Sequence, residues 1–201
     1  MKSFVARYRI GISRALFVLV IALVLLTRHA WPDPGLWTGV SGTLGFVALI
    51  TAALGRLWCS IYICGFKTKR VISDGPYSVV RNPLYVFSLI GAVGLGLVTH
   101  SLVVVALMLV LFGGIYPSTV GNEEKRLEAA LGEEYLDYKA RTPRFLPDFS
   151  KFSNVDTYTI NVPQLQNAFL DAVWFPLAYL ALQGWAFAQQ SGAVPVLAYL
   201  P

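Results

Sequence analysis

The stretch PLYVFSLIGAVGLGLVTHSLVVVALMLVLFGGIY, residues 83–116, decides how the chain is read. It holds two apolar runs, 83–98 and 101–116, joined by Thr99 and His100 alone, with no Asp, Glu, Lys or Arg in either. A helix on the surface of a soluble domain is apolar along one stripe only. These runs are apolar all round, as suits helices solvated by hydrocarbon. So short a joint predicts an antiparallel helical hairpin. Gly91, Gly94 and Gly96 on one arm and Gly113 and Gly114 on the other predict close helix contact.

Working outward, the segment 36–63 is a second long apolar run, with Gly39, Gly42 and Gly45 at three-residue spacing and Arg56 ending its fully apolar part. An earlier run, 12–27, follows Lys2, Arg7, Arg9 and Arg14. A charged start and a short apolar core also describe a signal peptide, but no small-x-small cleavage site follows. Arg28, His29, Trp31, Pro32 and Asp33 follow instead, so a first membrane helix with an interfacial Trp is the expectation. Toward the C-terminus, 121–147 alternates Leu127, Ala130, Leu131, Tyr135 and Tyr138 with charged residues, predicting an amphipathic helix broken near Gly132. A polar linker follows from Asp148, and then a last apolar run, 167–188, containing Asp171, Trp174, Gln183 and Trp185. The expected fold is therefore all-α and polytopic. It is one membrane domain over 1–201 with spans at 12–27, 36–63, 83–98, 101–118 and 167–188, and a polar segment at 121–147.

Composition agrees. Of 201 residues, 56% are hydrophobic and 13% charged, about half the charged share usual in soluble domains. The net charge is +5, but the cations lie between apolar runs and not in a basic helix, which argues against nucleic acid. With five spans, the cations of the N-terminus, of the 67–81 loop and of 125–151 all fall on one side, leaving Arg28 opposite and Arg56 within a helix. The positive-inside rule makes that side, with the N-terminus, cytoplasmic. Cys59 and Cys64 sit in an aromatic apolar stretch, and the histidines are His29 and His100. That spacing predicts inert thiols and no metal site.

Polar residues gather in two places, 67–85 and 121–147. Asn82 before Pro83 is a good helix start, and a helix start offers free N–H donors and partial positive charge to an anion. Arg81 beside it adds a guanidinium able to bind a carboxylate in two-pronged fashion. The Asp74-Gly75-Pro76-Tyr77 turn would fold the strand-like Arg70-Val71-Ile72 over that helix start. Glu123 and Glu124 fall as the fourth span ends, either as favourable charges at a helix start or as partners for an ammonium. An anion site beside a cation site is what an amino-acid zwitterion needs.

Gly75-Pro76-Tyr77-x3-Arg81-Asn82-Pro83-Leu84-Tyr85, then Glu123-Glu124, Leu131-Gly132-Glu133-Glu134-Tyr135-x2-Tyr138 and Arg144-Phe145-Leu146-Pro147, resembles the isoprenylcysteine carboxyl methyltransferases and their phospholipid methyltransferase relatives over about half the chain. The resemblance implies S-adenosylmethionine as methyl donor and a lipophilic acceptor entering from the bilayer. It also implies that Lys69, Arg70, Val71, Ile72 and Tyr77 line the donor, and that Asn82, Pro83, Leu84 and Tyr85 form the family's Arg-His-Pro-x-Tyr segment. Glu123, with Glu124 beside it, would hold the methionine part, and Tyr135 and Arg144 would close the pocket. Arg81, Asn82 and Glu123 are the residues expected to carry catalysis. Asn82 stands where the carboxyl methyltransferases have His. Thr119 stands where they have an Arg facing the acceptor, and Arg56 is the candidate to replace it.

Two other readings fit such an architecture. A nicotinamide-dependent reductase acting on a sterol-like double bond would need basic partners for several phosphates, and Lys69, Arg70 and Arg81 are few. A non-enzymatic scaffold or transporter subunit gives no reason for polar residues to gather on one face.

Overall fold

The computed structural model describes residues 4–66 and 68–201; Lys2 and Lys67, two of the cations counted above, lie outside the described residues. The elements in order are α1 (Phe4–Leu26), β1 (Thr27–His29), α2 (Leu36–Ile63), α3 (Pro76–Val79), α4 (Pro83–Val98), α5 (Leu102–Leu131), α6 (Glu133–Arg141), a 3-10 turn (Phe149–Lys151), α7 (Val162–Gln190) and β2 (Ala198–Leu200). The chain is an all-α membrane protein, as its composition predicts.

The number of full-length spans needs correcting. Among the described residues three helices, α2, α5 and α7, are long and apolar enough to cross a bilayer, against the five expected. The 16 residues of α4 rise about 24 Å, short of a hydrocarbon core of ~30 Å. α1 runs for 23 residues, and among the described residues its apolar stretch is Arg14–Leu26. Hydropathy identified both segments; length is what α4 lacks. A second correction concerns α5, which runs without interruption through residues 118–121. Glu123 and Glu124 therefore sit inside a 30-residue helix, and the helix-start argument for carboxylates there does not apply. The expected break near Gly132 is present, with Gly132 at φ 58° before α6.

The chain forms two compact units, one of residues 1–50, 89–116 and 175–201, the other of 51–88 and 117–174. In the first, Val20, Val104 and Leu111 are buried, with Leu16, Val24, Leu107, Met108 and Phe112 packed on them. Gly45 and Gly94 face each other: a Cβ on either would come within about 3 Å of the other's carbonyl. That contact needs hydrogen in place of a side chain and joins α2 to α4. By contrast, nothing lies within 4 Å of a Cβ built at Gly39, Gly113 or Gly114, so those glycines mediate no close helix contact. β1 and β2 form a parallel pair, and the carbonyl of Pro201 accepts from the backbone N–H of Leu102 and Val103, satisfying free donors at the start of α5.

In the second unit Cys59, Tyr62 and Tyr77 are buried together, surrounded by Ile72, Leu84, Phe87 and Tyr158. Gly75 has φ 57°, and a Cβ there would lie 2.4 Å from the Tyr62 ring, so the turn into α3 requires glycine twice over. The segment after Asp148, expected as a loose linker, is stapled to this core. Gly75 N–H donates to the Ser153 carbonyl, Asp148 N–H to the Val79 carbonyl, Tyr62 Oη to Asn154 Oδ1 and Tyr158 Oη to the Tyr62 carbonyl. The first two satisfy backbone groups of the buried turn at α3 and the other two anchor the segment to Tyr62 of α2; loop-like composition gives no warning of either.

Candidate active site

The site is built within the second unit, where the start of α4 meets the interior of α5. Pro83 opens α4 and is fully buried; Asn82 precedes it, 9% exposed. Expected as a helix cap, the Asn82 side chain instead directs its amide donors at Glu124 Oε1 (3.1 Å) and the Arg144 carbonyl (3.2 Å). Three further residues along, one helical turn, Tyr85 Oη donates to Glu123 Oε2 at 2.7 Å. The two adjacent carboxylates of α5 are thus each gripped from α4. A bond of this kind to an ionised group contributes ~1.5–3 kcal/mol.

Glu124 is the electrostatic centre. It is 5% exposed and ion-paired with Arg81 Nε (3.3 Å) and Arg144 Nη2 (3.2 Å). Arg81 also donates from Nη1 to the Lys139 carbonyl (2.5 Å), and its backbone N–H reaches the Pro143 carbonyl (2.8 Å). Two guanidinium groups around one carboxylate leave positive charge over. The Nε donors of Arg81 and Arg144 are both buried without a hydrogen-bond acceptor, the Arg81 group lying close to Glu124 but off the line of its N–H. Buried unpaired donors of this kind are costly and are a feature of sites that take a ligand.

Aromatic hydroxyls surround the cluster. Tyr77 is 5% exposed, and its Oη is buried without a partner. Burial, with Glu123 among the nearby charges, pushes its proton affinity well above the usual phenol range. Tyr138 Oη donates to the Tyr77 carbonyl at 2.7 Å, tying α6 to α3. Burial, then the Glu124 charge, pushes Tyr135 up to about 12, so it keeps its proton at physiological pH. One turn from Tyr85, Ser88 accepts from Arg56 Nη1 at 2.5 Å, which places a guanidinium of α2 against α4.

The structure therefore brings together Arg81, Asn82, Tyr85, Glu123, Glu124 and Arg144. Leu84 belongs to the adjoining apolar core, and Thr119 lies one turn before Glu123 on α5. The 70–72 segment forms no strand. Arg70 is engaged elsewhere, its guanidinium 4.1 Å from the Phe66 ring centre and 4.9 Å from that of Tyr158; Lys69 is exposed, Val71 and Ile72 half-buried. Sequence reasoning missed a polar hollow of about 510 Å³ beside Tyr138, lined by Ser73, Asp74, Ser78, Arg141, Lys151 and Ser153 among others. Its walls come from segments about 75 residues apart, and no local pattern announces them.

The phospholipid methyltransferase family model matches residues 35–134, which include α4 and both carboxylates of α5. The chain is 36% identical over 200 residues to the nickel-cobalt-cadmium resistance protein NccN of Alcaligenes xylosoxydans xylosoxydans, covering 99% of this chain and 92% of the relative. It is 38% identical over 174 residues to the cobalt-zinc-cadmium resistance protein CzcN of Cupriavidus metallidurans, covering 86% and 79%. No solved structure matches it.

Proposed function

Because the chain belongs to the phospholipid methyltransferase family, we propose that it transfers a methyl group from S-adenosylmethionine to a lipophilic acceptor held in the membrane. The observation that carries the reading is the meeting of Tyr85 with Glu123 and of Asn82 with Glu124 beside two arginines. A zwitterion needs both signs of charge within a few ångströms, and this cluster offers both.

The residues fit the donor's chemistry. Glu123, half-buried and accepting from Tyr85 Oη, takes the ammonium. The surplus positive charge around Glu124, with its buried unaccepted Nε donors, takes the carboxylate, chiefly through Arg144. The ring faces of Tyr77 and Tyr85 suit a sulfonium cation. When bound, S-adenosylmethionine supplies an already activated methyl group. The protein's task is then alignment and exclusion of water, and orientation can contribute several kcal/mol. Val71, Ile72, Pro83 and Leu84 provide apolar wall, and Tyr135 remains protonated as a donor. Lys69 and Arg70 are assigned to the rim.

For the acceptor, Arg56 with Ser88 is the proposed contact, one turn along α4 from Tyr85, and Thr119, one turn before Glu123 on α5, is the second candidate. A guanidinium there suits an acceptor with an anionic headgroup. The relatives' names tie them to nickel, cobalt, cadmium and zinc resistance, and we place the methyl transfer in that setting.

The test is incubation of the purified protein with a membrane lipid extract and methyl-labelled S-adenosylmethionine, read by mass spectrometry. A labelled lipid species, absent when Glu123→Ala replaces the wild type, is the expected result. Thermal stabilisation by NADPH and not by S-adenosylmethionine would instead favour the reductase reading. Stabilisation by neither, with no labelled product, would favour a scaffold.

A further inference from the structure

In the first unit, at the joint between α4 and α5, lie the two histidines of the chain. They are 71 residues apart in sequence, yet their ring centres are 5.0 Å apart and nearly perpendicular. Neither takes part in the proposed methyl transfer. The Nδ1 atom of each ring has a hydrogen-bond partner. His29 Nδ1 lies 3.2 Å from the Trp31 carbonyl, which can only accept, so Nδ1 is the protonated nitrogen. His100 Nδ1 lies 2.8 Å from Ser41 Oγ, and that hydroxyl, with one proton to give, also has the Trp37 carbonyl at 2.7 Å. With that proton on the Trp37 carbonyl, Ser41 accepts from His100 Nδ1, the tautomer that frees Nε2 of His100 to ligate. In that tautomer both rings carry an Nε2 lone pair.

Three further features bear on the pair. His100 holds φ 59°, a left-handed conformation uncommon outside glycine and found disproportionately at functional sites. Gly42 gives its ring room, since a Cβ there would sit 3.1 Å from Cε1. A small cavity of about 50 Å³ is lined by both histidines with Arg28, Thr99, Ser101 and Gln189, and by apolar side chains such as Val24 and Leu182. That is the space of one or two water molecules. Burial lowers the proton affinity of both rings, so both are neutral near pH 7. Asp33 opposes that lowering in each, which brings a carboxylate into their electrostatic neighbourhood, although Arg28 pairs with it at 3.2 Å.

We propose that His29 and His100 form a binding site for one divalent transition-metal ion, ligated through both Nε2 atoms. An imidazole whose other nitrogen donates to a fixed oxygen is oriented as a metal ligand, with Trp31 and Ser41 acting as outer-shell partners. Imidazole nitrogen selects zinc, nickel, copper or cobalt over magnesium or calcium. Among the described residues no group of three or more His, Cys, Asp or Glu could hold a metal, so water completes the coordination and the site is exchangeable. The sequence expectation of no metal site rested on spacing, and spacing is blind to a pair assembled by β1 and the α4–α5 joint.

The test uses full-length, tag-free protein in detergent, titrated with Zn²⁺ by calorimetry and with Co²⁺ by tryptophan fluorescence, since Trp37 Nε1 donates to the His100 carbonyl at 3.0 Å. One ion per chain is expected. His29→Ala and His100→Ala should each weaken binding at least ~10-fold, and Ser41→Ala by ~10-fold or more through loss of the orienting bond. A Cys59→Ser/Cys64→Ser variant should bind as the wild type does. Copper electron paramagnetic resonance on the unaltered protein should show coupling to two imidazole nitrogens, which holds the proposal to account even if a variant fails to fold. Binding that survives both histidine substitutions, binding that depends on the cysteines, or no binding would overturn it.

Discussion

Replacing Glu124 by alanine is expected to destabilise the protein by about 3–5 kcal/mol, the cost of stripping a buried charge of its partner. The loss comes chiefly from Arg81, whose side chain is 10% exposed beside a carboxylate at 6%. Arg144, at 37%, is more open to solvent screening and contributes less. Asn82 would also lose an acceptor for its buried amide. Denaturant unfolding in detergent measures the difference. A double variant, Glu124→Leu with Arg81→Leu, should recover part of the loss, because apolar residues can replace a buried ion pair at little cost. A single-variant loss below about 1 kcal/mol would mean that Glu124 is not the hub the geometry describes.

Glu123→Ala is expected to behave in the opposite way, removing most of the S-adenosylmethionine binding while leaving the fold intact. Glu123 is half-buried, and Tyr85, its partner at 2.7 Å, is a neutral phenol that solvent can satisfy. An ammonium deprived of a desolvated carboxylate loses a charge-assisted bond, and a loss of ~100-fold in affinity corresponds to about 2.7 kcal/mol. Calorimetry on wild type and variant, with matched thermal midpoints as the fold control, checks it; unchanged affinity would remove Glu123 from the cofactor site. The pair of variants separates two neighbouring carboxylates into one that holds the fold and one that faces the ligand.

Much of this arrangement was legible in the sequence because it is built from local patterns. Runs of apolar residues gave the helical membrane class, Gly75-Pro76 gave the turn into α3, and Asn82-Pro83 gave the start of α4. What escaped reading depends on length or on distance in the chain. α4 is apolar enough to span but stops at 16 residues, and the predicted boundary inside α5 was drawn where hydropathy falls although the helix continues. Helical hydrogen bonding does not sense polarity; it persists through Glu123 and Glu124, and this presents both carboxylates to α4 from a rigid element. The exchange of Asn82 from cap to ligand of Glu124, the stapling of residues 148–158 onto Tyr62 and α3, and the meeting of His29 with His100 all join residues tens of positions apart. Local spacing holds no record of them.

The central claim is that the donor sits between the start of α4 and the interior of α5. Ultraviolet crosslinking of radiolabelled S-adenosylmethionine to the purified protein, followed by peptide mapping, tests it most directly. Label should appear on peptides containing Tyr77–Tyr85 or Glu123–Arg144 and be displaced by excess unlabelled compound. Displaceable label confined to α1 or α7, or no displaceable label at all, would contradict it.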